Sequence, residues 1–314
     1  MLGHIGSRLI QLISVLLILS IVTFLLMKLA PGDPVLAVLK ASEGAVSQEA
    51  HQAVREELGL NMPVYMQYAS WFLGVVRLDL GKSFTTNREV RDILLERLPA
   101  SAALTAGALV VLLLLSVPFG LLAVKYQGRL LDHVGRLLAL LGASIPSFWL
   151  GLLLIYVFSF HLNWLPTMGG GDFRHLILPS VTLGFVMAPE YIRLLRAGLL
   201  DTLSQDYILA ARARGVSEWS ILLRHSLRAA LLPIVSMLGM SIGSLMAGSV
   251  VTETLFGWPG LGSMAMEAIS QRNYPVIQGY VLFTGACIVI ANLLSDISLS
   301  LLDPRIRLGK GSRA

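Results

Sequence analysis

Residues 207–233 read YILAARARGVSEWSILLRHSLRAALLP, a charged, helix-prone stretch between runs apolar enough to be membrane spans. Arg212, Arg214, Arg224 and Arg228 gather here with His225. Short connections rich in Lys and Arg stay on the cytosolic side of a membrane. The stretch is therefore expected to face the cytosol as a docking surface for a soluble partner.

The rest of the chain supports a membrane setting. Of its 314 residues 55% are hydrophobic and 14% charged, and the mean hydropathy is +0.73. Apolar runs of about 20 residues cross a hydrocarbon layer of about 30 Å as helices. Six are expected, at 9–29, 101–124, 133–162, 176–195, 229–255 and 276–302. The first resembles a secretory leader because Arg8 precedes it, but it is long for one and no good small-residue cleavage site follows, so it is expected to be retained. With the N-terminus inside, six spans return the C-terminus inside. Lys125, Arg129, Arg136, the central cluster, Arg305, Arg307, Lys310 and Arg313 then face the cytosol, against chiefly Arg174 and Arg272 in the short outer loops. The pI near 9.5 follows from that bias and requires no nucleic-acid surface.

Residues 30–100 form the one sizeable polar insertion, expected outside. Ser47 caps a helix over 47–58 with Glu49 in its first turn, a Gly-Leu-Asn-Met-Pro turn follows, and an amphipathic pattern resumes over 64–75. This predicts a small helical cap, too short for a catalytic domain. The single cysteine, Cys287, lies in the sixth run, so no intrachain disulfide forms. The six histidines show no metal-ligand spacing, and His161 and His175, flanking an outer loop, come nearest to it. No metal site and no catalytic group is assigned. For Met237, Met240 and Met246 adaptable packing is the default, with a soft-ligand path for a transition metal as the alternative.

Charges inside spans are costly and mark function by default. Glu190, Glu253 and Asp296, with Met240 and Met246, are the candidates for a pathway or gate. The competing readings are a Glu190–Arg193 pair one turn apart and, for Glu253 and Asp296, reach to headgroups or a neighbouring helix. Gly239, Ser241, Gly243, Ser244, Ala247, Gly248 and Ser249 make a small-residue stripe on the fifth run, suited to packing within the chain or against a second subunit. Pro118, Pro146, Pro179, Pro189 and Pro233 are expected to break or bend spans. Three isolated carboxylates make no proton relay, and no inverted halves are visible. An ion-coupled secondary carrier is retained as the alternative from another class.

Ala-Ala-Arg-Ala-Arg-Gly at 210–215 and Leu-Arg-His-Ser-Leu-Arg-Ala-Ala-Leu-Leu-Pro at 223–233 resemble the cytoplasmic coupling loop of ABC importer permeases. Leu209 stands where the general pattern has Glu, and the Gly-to-Pro interval is longer. Both departures resemble the dipeptide, oligopeptide and nickel branch. So do Ala-Pro-Gly-Asp-Pro at 30–34, Leu-Gly-Leu at 58–60, Leu-Asp-Leu-Gly-Lys-Ser-Phe at 78–84, Phe-Gly-Trp-Pro-Gly-Leu-Gly at 256–262, Arg-Asn-Tyr-Pro-Val-Ile-Gln at 272–278 and Asp-Pro-Arg-Ile-Arg at 303–307.

The resemblance implies an all-α integral membrane protein with the type I importer permease fold, the first permease of a heterodimer. It divides the chain into a first span at 1–29, an extracytoplasmic insertion at 30–100, a five-helix core at 101–302 holding the coupling loop 198–228, and a cytoplasmic tail at 303–314. Implied partners are a second homologous permease, two ABC ATPase subunits that carry ATP and Mg, an extracytoplasmic solute-binding protein and membrane lipid. This chain itself binds no cofactor, and its coupling residues are Ala210, Ala211, Arg212, Arg214, Gly215, Glu218, Arg224 and His225. Trp258, Pro259 and Gly260 form either part of the face that receives the binding protein or a structural turn. The outer insertion and the Trp-Leu-Pro-Thr-Met-Gly-Gly-Gly loop at 164–171 look closest to nickel permeases. Nickel or a metal chelate is thus the expected cargo, with di- and oligopeptides as the alternative.

Overall fold

The computed structural model describes residues 2–29, 34–39, 47–129, 142 and 144–302. Among them helices account for nearly all regular structure. The remainder is a single isolated bridge, Lys82 to Glu89. The helices are α1 (Leu2–Leu29), α2 (Pro34–Leu39), α3 (Gln48–Glu57), α4 (Val64–Val76), α5 (Val90–Lys125), α6 (Ser147–Leu154), α7 (Phe173–Leu203), α8 (Asp206–Ala213), α9 (Glu218–Ser220), α10 (Leu227–Phe256), α11 (Leu261–Ser270) and α12 (Tyr274–Leu302). Among the described residues five stretches are long and apolar enough to cross a membrane: Ile10–Leu29, Val90–Lys125, Phe173–Leu203, Glu218–Met246 and Tyr274–Ser295. The expected span at 133–162 is represented by the shorter apolar helix Ser147–His161, and residues 130–141 and 143 lie outside the described residues. The tail from 303 does too.

The chain divides into two compact units, and α5 and α12 contribute to both. One unit comprises Met1–Ser101 with Pro259–Val289. Here Ser47 accepts from the Ala50 amide at 3.3 Å and opens α3, as the Ser-x-x pattern predicts. An aromatic set fastens α4 to α1. Phe24 meets Tyr68 edge-on at 5.4 Å and Trp71 at 5.8 Å, and the Tyr68 and Ser20 hydroxyls share a hydrogen bond of 2.9 Å.

In the same unit Asn273, buried, donates through Nδ2 to Ser83 Oγ at 2.7 Å and Thr85 Oγ1 at 3.0 Å, and its Oδ1 accepts from the Phe84 amide at 3.1 Å. The segments 78–84 and 272–278 are thereby tied to each other. Ser101 Oγ accepts from the Leu261 amide at 2.8 Å, serving the first turn of α11 because its own cap residue, Gly260, has no side chain.

The other unit comprises Ala102–Trp258 with Ile290–Ala314. Its core joins Leu112, Leu121 and Val124 of α5, Tyr191, Leu195 and Leu199 of α7, Leu222, and Ala230 and Ile234 of α10. Gly184 sets the approach of α7 to α5, since a Cβ there would fall 2.6 Å from the Ala108 carbonyl oxygen and 2.8 Å from Val111 Cβ.

Of the expected breaks or bends, no break forms at the prolines inside α7 and α10. Pro179 and Pro189 sit inside an unbroken α7 and Pro233 inside an unbroken α10, while Pro146 caps α6. Irregularity falls instead on two π-helical turns, Ile155–His161 after α6 and Ile221–Ser226 before α10.

Candidate functional site

The basic stretch 206–226 folds into two short helical arms around Gly215. Helix α8 turns Ile208 and Ala211 inward, where they pack with Ile221, Leu203 and Val216 in a small core. That placement follows from the chain's spacing, because residues three apart share a helix face. Gly215 ends α8 at φ +76°, its amide donating to the Arg212 carbonyl at 2.9 Å and the Val216 amide to the Ala211 carbonyl at 3.2 Å. This pair of bonds is a Schellman cap, and Val216 adds its hydrophobic contact. The turn needs glycine for its left-handed backbone, since a Cβ there would meet nothing within 4 Å.

Ser217 opens the second arm, its hydroxyl accepting from the Ser220 amide at 3.4 Å. A bidentate ion pair joins the arms: Arg212 donates through Nε to Glu218 Oε1 at 2.9 Å and through Nη2 to Oε2 at 3.2 Å. Arg214 folds back to the Ala210 carbonyl at 3.2 Å. Tyr207, Leu209, Arg214, Trp219, Leu223, Arg224 and His225 remain exposed, so a basic and aromatic face stands on a fixed scaffold. The Lys125 ammonium, in the last turn of α5, lies over the Trp219 ring at 3.6 Å from its centre.

Two family models match the chain: "Binding-prot-dependent transport system membrane comp, N-term" over residues 1–105 and "Binding-protein-dependent transport system inner membrane component" over 116–308. The chain is 39% identical over 307 residues to the glutathione transport system permease protein GsiC of Escherichia coli strain K12, covering 98% of this chain and 99% of that one. The Salmonella typhi protein of the same name matches equally. The chain belongs to the ABC importer permeases of the dipeptide, oligopeptide and nickel family. Among solved structures, the methionine ABC transporter MetNI shares the fold at TM-score 0.57 and 20% identity, over 67% of this chain and 96% of its own. The permease is thus a multi-pass inner-membrane protein of type I importer fold, with ATP hydrolysis residing on separate subunits.

The remaining candidate residues of the permease are dispersed. Glu190 is exposed on α7, and no ion pair joins it to Arg193. Its neighbour Tyr191 is fully buried and shares a 2.7 Å hydrogen bond with Ser241 of α10. Glu253 does not reach toward headgroups. It is fully buried, and Oε1 accepts from Ser249 Oγ at 2.9 Å. Asp296 is placed by its backbone in α12.

Met240 is 66% exposed and Met246 half-buried, with Ser244 exposed between them. The small-residue stripe is largely consumed within the subunit, where Ser241 meets Tyr191, Gly239 packs on Ser295, and Gly243 and Ser249 are buried.

Gly257 caps α10 at φ +58° and packs near Gly169, whose amide donates to the Phe256 carbonyl at 2.9 Å. Trp258 and Gly260 are buried and Pro259 half-buried, so this segment is a turn that presents little of the tryptophan. His175 is engaged by Asp172, Nδ1 to Oδ1 at 2.6 Å, and His161 is exposed. No group of three metal-ligating side chains forms among the described residues.

Proposed function

We propose that this permease, paired with a second homologous permease, forms the inward pathway for short peptides of the glutathione or di- and oligopeptide class. An extracytoplasmic solute-binding protein delivers the cargo, and two ATPase subunits carrying ATP and Mg seat on the loop of α8, Gly215 and α9. The observation that carries this is the loop itself, a rigid, capped, basic and aromatic projection with no chemistry of its own, in a chain 39% identical to a glutathione permease over nearly its whole length.

The cargo reading departs from the nickel expectation because the relatives are peptide-type permeases and the outer histidines assemble no ligand set. Both termini face the cytosol, residues 30–100 stand outside, and the turn at Trp258, Pro259 and Gly260 shapes part of the outer surface that receives the binding protein. The open flank of α10, bearing Met240, Ser244 and Val251, suits the partner permease or the pathway, with Met246, Glu190, Glu253 and Asp296 as further candidates.

Uptake of labelled glutathione, a labelled dipeptide and nickel, in cells lacking the chain and cells restored with it, tests the reading. Restored peptide uptake that ceases on ATP depletion supports it. Restored nickel uptake alone overturns the cargo, and uptake that survives ATP depletion but follows an ion gradient favours a secondary carrier.

A further inference from the structure

We propose that Lys125 and Trp219 form the contact through which movement of the cytosolic loop reaches the second membrane span. This rests on the reading of the loop as the ATPase seat. The loop is covalently continuous with α7 and α10 but not with α5, so α5 can follow its motion only through side chains.

Beside the packing of α7 on α5, two contacts join the loop region to α5 directly. One is the shared core of Leu121, Val124 and Leu222, apolar and tolerant of sliding. The other is directional: the Lys125 ammonium sits 3.6 Å from the centre of the Trp219 ring. An ammonium over an indole face is held by the ring's negative charge, and a shift of a few ångströms loses most of that attraction. The neighbouring Tyr126 ring, at 5.5 Å from the same nitrogen, is the lesser partner.

Both halves are fixed to the elements they would connect. Lys125 occupies the last turn of α5, where a cation also complements the exposed carbonyl end of the helix. Trp219 directly follows Glu218, which the bidentate pair locks to Arg212 across the Gly215 turn. A push on either arm therefore displaces the indole, and the indole carries the ammonium and the end of α5 with it. The tryptophan is 41% exposed, so its outer edge is open to a docked subunit while its face is occupied by the lysine.

The test uses the importer assembled with its own second permease and ATPase subunits in lipid nanodiscs. An environment-sensitive fluorophore is placed on α5 through Leu114→Cys, an exposed position, in a Cys287→Ser background. Retention of the ATPase subunits, ATP hydrolysis and the ATP-driven change in fluorescence are read together. Lys125→Met should retain the ATPase subunits and hydrolysis while cutting the fluorescence change about three- to tenfold, and Trp219→Leu should cut the change measured per bound ATPase subunit by as much. The double variant should fall no further, and Lys125→Arg and Trp219→Phe should retain most of the signal.

An undiminished signal in Lys125→Met, additive losses in the double variant, or no ATP-driven change in the wild type overturns the proposal. ATPase subunits that stay bound when Arg214 and Arg224 are both changed to Glu overturn the loop reading, and the proposal with it.

Discussion

Arg212 and Glu218 close the two arms of the Gly215 loop on each other, guanidinium to carboxylate, with N–O distances of 2.9 and 3.2 Å on either side of Gly215. Both side chains are largely exposed, and such pairs contribute about 0–1 kcal/mol. Arg212→Ala or Glu218→Ala should therefore barely shift the thermal unfolding of the purified permease. Coupling should suffer more than stability, and the reversed pair Arg212→Glu with Glu218→Arg should recover it. Transport per ATP hydrolysed, compared with melting temperature, separates the two effects.

Gly215→Ala tests the turn itself. The added methyl meets no atom, so its cost is the left-handed backbone, about 1–2 kcal/mol. Gly215→Asn should cost less than Ala, because Asn tolerates this conformation. Equal membrane levels with reduced transport in the order Gly, Asn, Ala, read by uptake in complemented cells, are expected.

Asn273→Ala removes a buried hub and leaves Ser83, Thr85 and the Phe84 amide with lost partners, at a cost of about 2–4 kcal/mol. Segment 83–87 should lose amide protection by hydrogen exchange while the core containing Tyr191 retains it. Asn273→Asp should fall between, since it keeps the acceptor and loses the amide donor.

Asp172 predicts an acid-sensitive cap on α7. Its carboxyl is held below the usual carboxylate range by the hydrogen bond from His175, aided by the His175 and Arg174 amides. A depressed folded value means the cap is at full strength above the unfolded pKa, about 4, and fades as pH falls through the lower folded value. Hydrogen exchange at Arg174 and His175 should therefore accelerate only below about pH 4. In Asp172→Asn that pH dependence should vanish.

Much of this architecture was legible in the chain because its signals are local. Apolar runs, the Ser47 cap and the basic loop each depend on residues close to one another in the chain. What escaped depends on distant partners. Ser83 and Asn273 are 190 positions apart, and neither residue type announces the other. Glu253 could not be known to be buried beside Ser249 until the inner face of α10 had its neighbours.

The prolines of α7 and α10 make no break for a related reason, since their local preference yields to packing around a long span. The π turns carry no sequence signature, so the widening at Ile221–Ser226 was invisible. The Lys125 and Trp219 contact escaped similarly, as it joins the ends of segments nearly a hundred residues apart in the chain.

The Asn273 hub also imposes an order on biogenesis. Ser83, Phe84 and Thr85 leave the ribosome 190 residues or slightly fewer ahead of the side chain that fastens them. Through the synthesis of every intervening helix from α5 to α11, that segment waits with these three hydrogen bonds unmade. Its fastening therefore reports that nearly the entire chain has been made and correctly threaded.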